Sequence, residues 1–136
     1  MTKKLIIAIV AVFIAWQIID YVLHTMILGS AYGATAHLWR PMEEMKNGLM
    51  AIVGLISAAV FVYIYAAFIS NKSMATAVKY GVIFGIGAGV SMGYGSYSVM
   101  PIPYGMALGW FLGTLVCAAV GGILVGLLVK EDAPKM

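Results

Sequence analysis

Four long apolar runs dominate the chain, separated by three short polar breaks. They cover approximately 5–28, 48–69, 79–100 and 104–129. A helix needs about 20 apolar residues to cross the ~30 Å hydrocarbon core of a bilayer, so each run is long enough to span. Lipid offers no partners to backbone N–H and C=O groups, and a helix satisfies them within its own segment. The pattern predicts an all-α integral membrane four-helix bundle, with residues 1–136 forming a single transmembrane domain.

The breaks define the helix ends. Gly29, Ser30 and Gly33 close the first run, and a loop of small and polar residues leads to Trp39 and Arg40. Pro41 suits the first position of a helix, where its missing N–H costs nothing. Glu43 and Glu44 then fall in a first turn, where they complement the positive dipole end. The second helix is therefore expected from about Pro41 to Ile69, roughly 43 Å long, with its first two turns outside the apolar zone. Ser70-Asn71-Lys72-Ser73 is a polar turn, and a third helix begins near Ser73 with Lys79 and Tyr80 at the interface. Pro101 and Pro103 end it and leave room only for a tight hairpin into the fourth helix. Lys130-Glu131-Asp132 marks the exit. Lys3 and Lys4 precede an apolar run longer than a signal-peptide core, with no small-x-small cleavage site after it, so the first run is expected to be a retained span.

Charge sets the expected orientation. With four spans, Lys3, Lys4, Lys72, Lys79, Lys130 and Lys135 collect on one side, against Arg40 and Lys46 on the other. The positive-inside rule places both termini in the cytoplasm (N-in/C-in), in a bacterial inner membrane. Because the positive charge sits at the ends and in one turn, it is not a nucleic-acid signature.

Small residues set the expected packing. Gly81, Gly85, Gly89 and Gly93 recur every four residues on the third helix. Gly105, Gly109, Gly113, Cys117 and Gly121 do so on the fourth. Such ridges let helix backbones approach closely, which drives association in lipid. They predict a glycine-rich hairpin of the third and fourth helices, or a homo-oligomer face on one ridge. Gly87, Ser91 and Gly95 form a second small row on the third helix, which could line a polar path. Cys117, the single cysteine, excludes an internal disulfide and a CxxC pair and is read as a small packing residue. Trp16, Trp110, Phe61, Tyr63 and Tyr65 are likewise read as packing.

One polar constellation stands out. Gln17, Asp20, Tyr21 and His24 follow i, i+3, i+4, i+7 spacing on one face of the first helix. A charge inside a span costs ~2.5–3.5 kcal/mol at the centre on insertion scales, so this stripe should face the bundle interior or a wet pocket. Three uses compete. In a polar clamp, Asp20 accepts hydrogen bonds from His24, Tyr94, Tyr97 or a dipping Arg40. In a metal or cation site, Asp20 and His24 are joined by His37, Glu43 and Glu44, with Met26, Met42, Met45, Met50, Met100 and Met106 nearby as copper-type thioethers. No tight ligand motif such as HxxxH, HExxH or CxxC supports it. In a small transporter or channel, Asp20 and His24 form a protonatable pair. The run from Leu5 to Trp16 offers no continuing polar path on this helix. Catalysis lacks a nucleophile elbow, paired catalytic carboxylates and a phosphate loop, and Gly85-Ile86-Gly87 lies inside a span rather than in a strand–turn–helix context. No cofactor is expected; a haem would need a second histidine within a span.

The Asp20-x-x-x-His24 helix end, the Leu38-Trp39-Arg40-Pro41 step and the Pro101-Ile102-Pro103-Tyr104 turn together resemble small, uncharacterised bacterial four-span membrane proteins. That resemblance covers the whole chain and implies no activity. The four-span length is similar to that of small multidrug transporters and fluoride channels, and small multidrug transporters also carry a carboxylate on the first helix, there a Glu near mid-span, where this chain has Asp20 near the outer end. No other motif is shared and no activity is carried over. The expectation is a small non-enzymatic membrane protein. It is either an accessory or self-associating component of a homo-oligomer or larger membrane complex, or a binder of a small polar ligand or cation in an outward-facing pocket.

Overall fold

The computed structural model describes residues 2–131. Asp132 of the expected exit and Lys135 lie outside the described residues. Among the described residues the chain is all-helical, with no strands. Four helical stretches are long and apolar enough to cross a membrane: Lys3–Ile27, Asn47–Phe68, Met74–Val99 and Tyr104–Leu128. The chain is thus a small membrane protein with four spans.

The first span is α1 (Lys3–Tyr21) continued by a π-helical turn, Val22–Ile27. Thr2 caps its start, its side chain accepting from Leu5 N–H. Beyond Leu28 the chain does not become an open loop. It turns into a short helix α2 (Gly29–Ala34) and a 3-10 turn, Ala36–Leu38. The second span is α3 (Asn47–Phe68). The third is α4 (Met74–Val90), a π turn at Ser91–Gly95, and α5 (Ser96–Val99). The fourth is α6 (Tyr104–Leu128). Ser73 caps α4 by accepting from Thr76 N–H at 3.1 Å. Met100 is extended, as a residue before proline prefers, and this ends the third span.

The expected helix from Pro41 does not form as one piece. Residues Met42–Glu44 make a separate 3-10 turn, Met45 is extended, and α3 starts at Asn47. Residues 41–44 are all exposed, so no tertiary packing supports a helix there. Most helical stability in proteins comes from such packing rather than from propensity.

The third and fourth spans pack along their length, while the first span lies between the second and fourth. The two glycine rows do not face each other. A Cβ on Gly81 would collide with the Ala118 carbonyl, and one on Gly93 with the Ala107 carbonyl. Gly85 and Gly89 abut Leu115 and Phe111. The row on α6 looks elsewhere: Gly109 meets Leu28, Gly113 meets Leu23, and Gly121 meets Phe61 and Trp16. Nothing approaches Gly105. Glycines thus serve two seams of α6, one toward α4 and one toward the first and second spans.

Two apolar clusters fill the bundle. The larger, near the Lys3 end, is built on Ala8, Val12, Phe61, Val62, Tyr65 and Val125, all fully buried. Tyr80 ties the second and third spans there, its hydroxyl donating to the Phe61 carbonyl at 2.7 Å. The smaller cluster lies at the opposite end and joins Leu23, Leu28, Ile102, Met106 and Trp110 to Tyr32, Leu38 and Trp39.

Candidate functional site

The first span presents Trp16, Asp20 and His24, each one turn above the last, to the seam with α6. All three are half-buried. Trp16 Nε1 donates to the Cys117 carbonyl at 2.6 Å. The Cys117 thiol donates to Asp20 Oδ1, with sulfur and oxygen 3.7 Å apart. His24 Nδ1 lies 2.6 Å from the Tyr32 hydroxyl. Trp110 Nε1 donates to that same hydroxyl at 2.7 Å. The seam therefore carries a polar rail from the middle of α6 toward its Tyr104 end.

Local chemistry explains the upper part of the rail. Because the Tyr32 oxygen accepts from Trp110, its own proton is available to His24 Nδ1. That assignment places the imidazole proton on Nε2. Burial holds the Tyr32 phenol above its ordinary range. The Trp110 N–H partly counters this, and the Asp20 charge adds to it. Tyr32 therefore stays a neutral donor at physiological pH. Thr35, buried beside it, donates to the Ala31 carbonyl at 2.8 Å and accepts from Trp39 Nε1 at 2.9 Å. The rings of Tyr32 and Trp39 meet edge to face at 5.4 Å, and those of Trp39 and Trp110 at 6.1 Å. Segment 29–39 is thus a cap, sealed onto the Ile27 end of the first span and the Tyr104 end of the fourth.

Beneath the cap a cleft of about 440 Å³ opens against Asp20. All four spans contribute to its wall: Trp16 and Asp20; Ile56, Ser57 and Val60; Phe84 and Ala88; Thr114, Cys117 and Ala118. Most of these residues lie near the middle of their spans, while Asp20 lies nearer the Ile27 end of the first. Among the described residues, Asp20 is the only charged side chain on this wall.

The expected site residues are distributed unevenly. Asp20 and His24 face the seam. Gln17 and Tyr21 are exposed, Tyr21 at 65%. Gln17 leans toward Gly54 of the second span. Tyr94 is paired with Tyr104, their hydroxyls 3.0 Å apart, and the Tyr97 ring packs on Tyr104 at 5.9 Å. Neither tyrosine reaches Asp20. Arg40 is exposed, and the interactions of Asp20 are with His24, Cys117 and Tyr32 rather than with Arg40. His37, Glu43 and Glu44 are exposed on the two 3-10 turns. Among the described residues no group of three His, Cys, Asp or Glu side chains is gathered as a metal would need.

Sequence reasoning did not single out Tyr32, and it treated Trp16, Trp110 and Cys117 as packing. One signal was available: Trp110 and Cys117 lie seven residues apart, on one face of a helix. The π turn at Val22–Ile27 had no such signal. His24 lies within it.

No family model, curated protein or solved structure matches this chain. Its chemistry is therefore read from this site alone.

Proposed function

We propose that this chain is a small, non-enzymatic bacterial inner-membrane protein that binds a small cation in the cleft beside Asp20, with both termini cytoplasmic. The observation that carries the reading is the wall itself, where a carboxylate faces open space and, among the described residues, no lysine or arginine lines the cleft with it. Carboxylates held in an apolar setting normally have a partner. The Cys117 thiol that donates to Asp20 is neutral, and a bound cation supplies the opposite charge. The excess of Lys at the Lys3 and Lys72 ends supports the orientation.

Binding fits better than permeation. Between the cleft and the Lys3 end, Ala8, Val12, Phe61, Val62 and Val125 are fully buried and close-packed. Transport through Asp20 and His24 requires that plug to part. Self-association is a second role with its own support: Gly87, Ser91 and Gly95 are exposed on the third span, with nothing within 4 Å of a Cβ at Gly87. A second copy or a partner protein fits such a row in lipid.

The test is thermal stability of the purified protein across a panel of inorganic and organic cations. A ligand stabilises the state it binds by mass action. At least one cation should raise the melting temperature of the wild type and leave Asp20→Asn unchanged. Equal responses of the two proteins to every cation would overturn the reading.

A further inference from the structure

We infer that the cleft takes an amphiphilic monocation with an aromatic or bulky apolar body, admitted from the bilayer between the second and third spans. This rests on the cation reading of Asp20 and adds the class of cation and its route.

The wall argues for the class. Its charge is one carboxylate, which matches a single positive charge. Ser57, Thr114 and Cys117 add only neutral polar groups, too few to replace the hydration shell of an inorganic ion. The rest is apolar, with Trp16 and Phe84 among it. Aromatic faces attract organic cations, most strongly where water is excluded. A cleft of about 440 Å³ lies within the range of small-molecule sites and far exceeds the needs of a bare ion.

The surroundings argue for the route. Above Asp20, the seam of the first and fourth spans is closed by His24, Tyr32, Trp39 and Trp110. Below, the buried cluster around Phe61 and Val12 closes it. The second and third spans meet through Phe61, Tyr65, Tyr80 and Phe84. Apart from these rings, the two spans have little close backbone packing against each other. Val60 lines the cleft and is 49% exposed, so the cleft opens to the surface there. A ligand soluble in the bilayer reaches Asp20 there without crossing the cap.

The experiment measures binding of radiolabelled tetraphenylphosphonium to the full chain in lipid nanodiscs, with tetramethylammonium and potassium as competitors. Wild type should bind it, Asp20→Asn should bind at least about tenfold more weakly, and neither small cation should compete at equal concentration. Val60→Trp, a change at an exposed position that need not disturb folding, should slow association by narrowing the opening. Trp39→Ala, which loosens the cap, should leave association unchanged. If tetramethylammonium or potassium binds in an Asp20-dependent way and tetraphenylphosphonium does not, the class is wrong while the cation site stands. If Trp39→Ala speeds association and Val60→Trp does not slow it, the route is wrong. If no cation binds, or Asp20→Asn binds as the wild type does, both the class and the site fail.

Discussion

His24 and Tyr32 lie eight residues apart, and Nδ1 of the first is 2.6 Å from the hydroxyl of the second. That bond ties the cap to the first span. The hydroxyl also satisfies Trp110, so one phenol serves two buried donors or acceptors from different helices. Removing it leaves both without a partner. Tyr32→Phe should cost about 1–3 kcal/mol, the usual penalty for stranding buried polar groups. Reversible unfolding in mixed micelles checks this, and faster amide exchange confined to 29–39 would show that the cap is what loosens.

The same phenol gives a pH dependence. Its folded pKa is raised above the ordinary 10.0 by burial. A raised folded value means that the stabilisation is complete below the unfolded pKa and is lost as pH rises through the folded one. Emission from Trp39 and Trp110 should therefore change at alkaline pH in the wild type. Tyr32→Phe should lack that transition, and a transition of the same size in both proteins would show that another group causes it.

Glycine substitutions should divide by seam. Gly81→Ala forces a methyl group onto the Ala118 carbonyl, which is backbone and cannot swing aside. A loss of about 1–3 kcal/mol is expected, as for other overpacked contacts. Gly87→Ala meets open space and should be neutral or slightly stabilising for a helix. The comparison uses unfolding of the monomer at high detergent-to-protein ratio, so that any self-association through Gly87 does not enter.

Arg40 was an attractive partner for Asp20 on chemical grounds, and its exposed position separates the two. Arg40→Gln should change stability by no more than about 0.5 kcal/mol, as surface substitutions generally do. A loss comparable to that of Tyr32→Phe would mean that Arg40 pairs within the bundle.

Orientation is open to direct labelling. On a Cys117→Ala background, Glu43→Cys should react with a membrane-impermeant maleimide added to intact cells. Asn71→Cys should react only after lysis. The reverse pattern would invert the proposed topology.

The spans were legible because their apolar runs leave no other solvent than lipid, and because Pro101 and Pro103 stop a helix for steric reasons. Asp20 and His24 were legible because a charge inside such a run demands an explanation. The cap was not. Its Gly29, Ser30 and Gly33 read as a loop, and only contacts with Trp110, distant in sequence, turn segment 29–39 into a short helix and a 3-10 turn. The π turn at Val22–Ile27 was hidden for a similar reason, since packing rather than composition sets the local register. Cys117 showed its role only once the fold put its thiol beside Asp20. The glycine rows announced close packing but not which neighbour each one meets.

The most direct measurement is an experimental structure of the protein with tetraphenylarsonium, whose arsenic is located by anomalous scattering. A peak in the cleft, between the Asp20 carboxylate and the rings of Trp16 and Phe84 and absent in Asp20→Asn, is the expected result. A peak elsewhere on the protein, or none at saturating ligand, would contradict the assignment of Asp20 as the cation's partner.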